Sequence, residues 1–133
     1  MRFIVLLFTF MFVSTSYAEW NWFQSGQTEV ATFYIDYDKV RKVGNHVYFY
    51  ELRDHVEPVR LPAIENSGIF SIIIYSKVTC DTNMRLILQI QNYQLAMGKG
   101  ELVITPKGYL SNKWEPYDDN YGKSLTRNLC ENY

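Results

Sequence analysis

The side chains best suited to chemistry in this sequence are two histidines, His46 and His55, and two nearby acids, Asp36 and Asp38. Histidines ligate metals and transfer protons, and paired carboxylates can divide acid and base roles. His46 and His55 lie nine residues apart on one predicted strand, a separation of about 30 Å at the usual rise per residue. They therefore cannot share a metal unless the chain folds back, and Asp36 and Asp38 fit better a turn that caps Lys39–Val43.

Two further motifs fall short of a catalytic pattern. Ser67 lies in Asn66-Ser67-Gly68, which lacks the strand–turn–helix context of a nucleophilic serine. Gly98-Lys99-Gly100 has too few glycines and no following helix for a phosphate loop, so it predicts a hairpin turn. We therefore expect no catalytic residue, no metal site and no cofactor, and interpret the protein as not an enzyme.

Tyrosines are the remaining candidates, because several fall on predicted neighbouring strands. The set is Tyr34, Tyr37, Tyr48, Tyr50 and Tyr75. One interpretation is cross-strand packing on a half-buried sheet. The other is a binding face, since tyrosine is favoured at interfaces.

Alternation along one strand bears on this choice. Tyr48, Tyr50 and Leu52 share one side, and Val47 and Phe49 share the other. A single helix can cover only one of these partly apolar sides. We predict a binding face that includes Tyr34, Tyr48 and Tyr50, unless the helix covers them and they belong to the core.

Composition limits the class of protein. The chain has 133 residues, 47% hydrophobic and 17% aromatic, with a net charge of −1. These values predict one folded domain and argue against wholesale disorder. The nearly balanced charge argues against a nucleic-acid partner.

The first 18 residues predict a signal peptide. Met1-Arg2 is followed by the apolar run Phe3–Val13 and the small-residue cleavage pattern Ser16-Tyr17-Ala18. The run is shorter than the roughly 20 residues that span a bilayer. We therefore expect a mature domain over residues 19–133 without a transmembrane segment. No cysteine lies near the cleavage site, which favours a periplasmic or secreted protein over a lipid-anchored one.

The mature chain predicts an α+β fold, in which short strands form an antiparallel meander and one helix follows. Gly44-Asn45 is a two-residue hairpin signal between Val40–Val43 and His46–Arg53. Prolines at 58 and 62 predict a loop over Val56–Gly68, and Met84, Leu86, Leu88 and Ile90 predict an apolar strand face.

The C-terminal segment predicts the helix. Tyr121, Leu125 and Leu129 are spaced by four, as on one helix face. Asp118, Asp119 or Asn120 could cap its start. Cys80 ends a strand on its apolar side and Cys130 ends the helix, so a disulfide between them would pin the helix to that side of the sheet.

Several segments in this order resemble one family of proteins. They are Trp20 at the start of the mature chain, Tyr34-Ile35-Asp36 before Val40-Arg41-Lys42-Val43-Gly44-Asn45, Cys80 followed by Arg85, Tyr93 before Met97-Gly98-Lys99-Gly100, and Trp114 before Cys130. Over Glu19–Cys130 the chain resembles the surface-adhesin protein E family of exported bacterial proteins. The resemblance implies an antiparallel sheet with a C-terminal helix tethered by the two cysteines.

Two functions from different classes are compatible with these observations. One is an exported, adhesin-like binding domain that attaches to a protein or matrix ligand. The other is a soluble periplasmic envelope protein with a structural or accessory role. The tyrosine face favours the first, and the missing lipid-accepting cysteine favours the second.

Overall fold

The computed structural model describes residues 19–60, 68–103, 110 and 112–133. The predicted signal peptide, Pro62 and Ser67 lie outside these residues. The strands are β1 (Phe23–Gln27), β2 (Ala31–Ile35), β3 (Arg41–Val43), β4 (His46–Val59), β5 (Ile69–Thr79), β6 (Met84–Tyr93), β7 (Leu102–Val103) and β8 (Glu115–Pro116). Short 3₁₀ turns lie at Tyr37–Lys39 and Ala96–Gly98, and the helix α1 spans Asn120–Asn132.

These strands form one antiparallel sheet. The order is β1-β2-β4-β5-β6-β7, with β3 paired to β4 and β8 paired to β6. Within the described part of the chain, every hydrogen-bonded pair of strands is antiparallel. The α+β meander predicted from the sequence is therefore confirmed.

Two local predictions, the hairpin turn at Gly44-Asn45 and the capped start of the helix, are confirmed. Gly44 adopts φ +59° in the turn between β3 and β4, a left-handed conformation that glycine adopts without strain. Asp119 caps α1, since its Oδ1 accepts a hydrogen bond of 2.8 Å from the Gly122 N–H. Such a cap satisfies one of the donors left open in the first helical turn.

The predicted loop over Val56–Gly68 is wrong at its start, because β4 continues to Val59. The ladder between β4 and β5 is interrupted between Asp54 and Val59. Pro58 lies in this interruption, where its missing N–H removes no ladder hydrogen bond. The irregular register thus lets a proline occur inside a long strand.

The predicted apolar face of β6 is also wrong. The pairing of β5 with β6 shifts between Tyr75 and Ser76, and a bulge of this kind moves following side chains to the other face. Ile90 pairs with Ile74, Leu86 pairs with Lys77, and Leu88 is exposed. Strict alternation therefore fails across the middle of this strand.

The helix packs on one face of the sheet, called here the helix face. Its buried core is Ile35, Val47, Phe49, Val78, Tyr117, Leu125 and Leu129. A disulfide joins Cys80 at the end of β5 to Cys130 in the last turns of α1, with Cα atoms 5.9 Å apart. The predicted tether is thus present, and it holds the helix on the side of Val47 and Phe49.

The opposite side of the sheet, called here the helix-free face, is covered at one end by the second 3₁₀ turn. The Asp54 carboxylate accepts the Met97 N–H at 3.1 Å, and the Ser71 hydroxyl accepts the Gly98 N–H at 2.8 Å. Leu52 and Ile73 are buried beneath this turn. The part of the helix-free face that this turn leaves uncovered therefore begins at Tyr50, next to Leu52.

Candidate binding surface

Five aromatic rings lie together on the helix-free face, beyond the 3₁₀ turn. This aromatic cluster consists of Trp20, Trp22, Tyr48, Tyr50 and Tyr75. All five residues are half-buried. The cluster contains two of the three tyrosines predicted to form a binding face.

Strand pairing sets the centre of the cluster. Tyr50 lies opposite Tyr75 in the β4–β5 ladder, and their rings stack with centroids 4.4 Å apart. Tyr48 is two residues along β4, on the same face, and its ring centroid is 6.2 Å from that of Tyr75. Alternation in β4 therefore placed this pair correctly, away from the helix.

The segment before β1 completes the cluster. Trp20 meets the ring of Tyr50 edge-on at 4.9 Å, and Trp22 stacks on Trp20 at 4.7 Å. Lys39 Nζ lies 4.7 Å from the Trp20 centroid and 2.7 Å from the carboxylate of Asp36. The buried Asp36 also accepts the Asn21 N–H at 3.1 Å, and Lys39 Nζ donates to the Glu19 carbonyl oxygen at 2.7 Å, so both members of the ion pair anchor the Trp20 segment against the first 3₁₀ turn.

The other predicted tyrosines have different positions. Tyr34 lies opposite Leu52 in the β2–β4 ladder and so shares the helix-free face. Its ring is not among those in contact within the aromatic cluster. Tyr37 lies on the other side of the sheet with Ile35, whose strand parity it shares, and stacks there with Tyr133 at 6.5 Å.

Two cations border the cluster. Lys77 pairs with Tyr48 across β4 and β5, and its Nζ lies 5.4 Å from the Tyr48 centroid and 5.7 Å from that of Trp114. Arg41 lies opposite Tyr48 on the short strand β3 and is exposed. A small pocket of about 160 Å³ is lined by Arg41, Val43, Tyr48 and Tyr75.

The polar groups of this surface are largely unused. The two ion pairs among the described residues are Lys39–Asp36 and Arg53–Glu51, and neither involves Arg41 or Lys77. Within the same residues, tyrosine hydroxyls take part in hydrogen bonds only at Tyr93 and Tyr121. The phenols of the cluster are therefore available to a ligand.

Burial, followed by the neighbouring Tyr50, raises the pKa of Tyr75. The phenol of Tyr75 therefore stays protonated at neutral pH and can donate a hydrogen bond. Stacked rings also turn their positively polarised edges outward. The exposed features of the surface are ring edges, hydroxyl donors and two cations.

The helix face contains a second polar group, which the sequence analysis did not identify. Glu51 is buried, with 1% of the residue exposed, and its carboxylate accepts hydrogen bonds from Arg53 Nε at 2.7 Å and from the Tyr121 hydroxyl at 2.9 Å. Burial and then Glu51 raise the pKa of Tyr121. Burial disfavours the charged form of Arg53, but the Glu51 carboxylate, together with Tyr117 and Tyr121, outweighs this effect and raises the pKa of Arg53.

The sequence offered one signal for this network. Glu51 and Arg53 share the strand parity of Val47 and Phe49, so a charged pair continues the buried side of β4. The Arg53 and Tyr121 donors both reach the Glu51 carboxylate, so the group is a hydrogen-bonded network that joins β4 to α1.

The remaining predicted candidates are dispersed. His46 lies beside Trp114, with ring centroids 6.0 Å apart, whereas His55 lines a pocket with Glu29, Glu57 and valines at the far end of β4. Asp36 accepts the Asp38 N–H and caps the 3₁₀ turn Tyr37–Lys39, rather than Lys39–Val43.

Gly98-Lys99-Gly100 belongs to the turn between β6 and β7. No three potential metal ligands converge among the described residues. Nor does any helix among them have the length and apolarity that crossing a membrane requires.

Comparisons with known proteins agree on one family. A family model described as Surface-adhesin protein E matches residues 22–131. No curated protein matches the chain. Among solved structures, the chain is similar to Haemophilus influenzae protein E.

One crystal form of that protein is 15% identical with a TM-score of 0.60, covering 82% of this chain and 93% of that one. A structure of protein E from a non-typeable strain is 16% identical with a TM-score of 0.58, covering 86% and 87%. At such low identity these likenesses concern the fold.

Proposed function

The chain belongs to the surface-adhesin protein E family, and we propose that it is an exported, non-enzymatic domain that binds a protein ligand of the extracellular matrix through its aromatic cluster. Export is supported by the predicted signal peptide and by the pairing of both cysteines, since disulfides persist in oxidising compartments.

The observation that carries the proposal is the half-buried aromatic cluster on the face without a helix. Tyrosine and tryptophan are enriched at binding interfaces, because each combines a large apolar ring with a polar group. The cluster is supported from below by the paired strands β4 and β5. A rigid platform of this kind loses little entropy when a ligand binds.

The test uses purified laminin, fibronectin and collagen as immobilised probes for the exported protein. Substitution of Tyr48 and Tyr50 by serine is expected to weaken binding at least tenfold, because central aromatic side chains dominate interface energies. Tyr133→Ser provides the control, since Tyr133 is 45% exposed on the helix side.

A thermal melt of each variant accompanies the binding measurement. Lost binding with an unchanged melt supports the proposed surface. Equal binding by the folded double variant would place the interface elsewhere, with the Lys39–Lys42 segment as the next candidate. Failure of the wild-type protein to bind all three probes would contradict a matrix ligand.

Surface labelling of intact cells, compared with release of periplasmic contents, separates the adhesin from an accessory envelope protein. The adhesin is labelled from outside. A protein found only in the periplasmic fraction would support the accessory role instead.

A further inference from the structure

We propose that the pocket lined by Arg41, Val43, Tyr48 and Tyr75 binds a carboxylate side chain, so that the aromatic cluster selects an acidic segment of its protein ligand. This inference rests on the proposed function and specifies the chemistry of the partner. The pocket has a volume of about 160 Å³, which suits one side chain rather than a free metabolite.

Charge complementarity is the first argument. The whole chain carries a net charge of −1, yet Arg41 and Lys77 lie beside Tyr48 without an ion-pair partner among the described residues. The one acid on this face of β4 is Asp54, which is occupied by the Met97 N–H beyond Leu52. The surface is thus locally cationic on a slightly acidic protein.

Preorganisation is the second argument. The ammonium of Lys77 lies over two rings, those of Tyr48 and Trp114, which restricts its position before a ligand arrives. Arg41 lies near enough to Tyr75 to oppose the effect of burial on that phenol. A guanidinium suits a carboxylate because it can donate two parallel hydrogen bonds.

The helix face supplies the internal comparison. There Arg53 lies over the Phe33 ring, with 5.4 Å between the guanidinium carbon and the ring centroid, and also donates to the Glu51 carboxylate. The Tyr121 hydroxyl donates to the same carboxylate. The helix-free face likewise presents a guanidinium and tyrosine hydroxyls around a pocket, but no carboxylate lines that pocket.

The experiment measures binding of a fluorescently labelled hexaglutamate peptide to the exported protein by anisotropy. A peptide with serine at each position is the uncharged control, and a heparin hexasaccharide represents an anionic polysaccharide. Hexaglutamate is expected to bind, the serine peptide at least tenfold more weakly, and binding to weaken as salt rises.

Arg41→Gln and Lys77→Gln are each expected to weaken hexaglutamate binding about fivefold, as for partly exposed ion pairs. Lys42→Gln is the matched control, because Lys42 Nζ instead donates to the Cys130 carbonyl oxygen at 2.9 Å. Equal binding of the glutamate and serine peptides, no binding of either, or a preference for heparin alone would overturn the inference.

The same variants separate this inference from the proposed function. If Tyr48→Ser with Tyr50→Ser abolishes matrix binding while Arg41→Gln and Lys77→Gln preserve it, the aromatic surface stands and the carboxylate pocket is refuted. If matrix binding survives both sets of changes, both proposals fail.

Discussion

Tyrosines and cations lie together on both faces of the sheet, but Arg41 and Lys77 on the helix-free face lack, among the described residues, the carboxylate partner that Arg53 has on the helix face. Around Glu51, the side chains of Arg53 and Tyr121 satisfy one another beneath the helix. Around Tyr48, the side chains of Arg41 and Lys77 have no such partner among the described residues. The difference shows how similar side chains serve stability where they are enclosed and remain available for binding where they are not.

Removal of the disulfide that holds the helix on the helix face is expected to cause the largest loss of stability. The bond closes a loop with a sequence separation of 50, which contributes about 4 kcal/mol in the chain-entropy model. Cys80→Ser or Cys130→Ser is expected to lower the free energy of unfolding by about that amount. Urea unfolding measures the loss, and two free thiols in the native exported protein would contradict the bond.

Arg53→Met tests the hydrogen-bonded network around Glu51 directly. It removes the cation beside a carboxylate that is 2% exposed, whereas the Arg53 side chain is 31% exposed. Leaving a buried charge unpaired typically costs 3–5 kcal/mol. Because Arg53 is partly exposed, water can approach the Glu51 carboxylate in the variant, and we expect the free energy of unfolding to fall by about 3 kcal/mol, at the lower end of this range. Urea unfolding again provides the measurement.

Lys77→Met is the matched change on the helix-free face. It removes only ring contacts of a cation, which are worth about 0.5–1 kcal/mol at exposed sites. Equal losses of stability in the two variants would show that the faces do not differ as described.

The smallest expected effect concerns pH. Burial, and then the charge of Arg53, lowers the pKa of His55 below its usual value. Between the folded and unfolded pKa values the unfolded chain binds more protons, so the stability rises with pH up to about 6.5 and falls under acid conditions. His55→Gln is expected to flatten this slope in melts between pH 5 and 7, and an unchanged slope would assign it to other groups.

Local sequence signals were sufficient for much of this architecture. The hairpin followed from Gly44-Asn45, the helix from the spacing of Tyr121, Leu125 and Leu129, and its start from an acidic cap. Alternation in β4 placed Tyr48 and Tyr50 on one side. Each of these features depends on residues close together in the chain, where steric and hydrogen-bond preferences act directly.

The errors have a different origin, because they depend on partners distant in sequence. The bulge opposite Tyr75 shifts the parity of β6, and the interrupted ladder admits Pro58 into β4. Trp20 contacts Tyr50 only after the chain has turned three times. No local pattern specifies a register shift or a contact of this range.

The buried Glu51 was missed for a related reason. A lone acid within a strand predicts a solvent-exposed position unless its partners are known. Arg53 was two residues away in the sequence, but Tyr121 approaches from the helix, across a separation of 70 residues. Only the assembled fold shows that both donors reach the same carboxylate.

The position of the disulfide also determines how the protein transmits mechanical load. A pull applied between residue 19 and the C-terminus travels along the chain to Cys80, crosses the sulfur bridge to Cys130 and leaves through the last three residues. Strands β6, β7 and β8 and nearly all of the helix lie on the bypassed segment and bear no covalent tension. Under traction, therefore, covalent extension is confined to the first five strands, and the segment between Cys80 and Cys130 cannot be drawn out straight until the bridge is reduced.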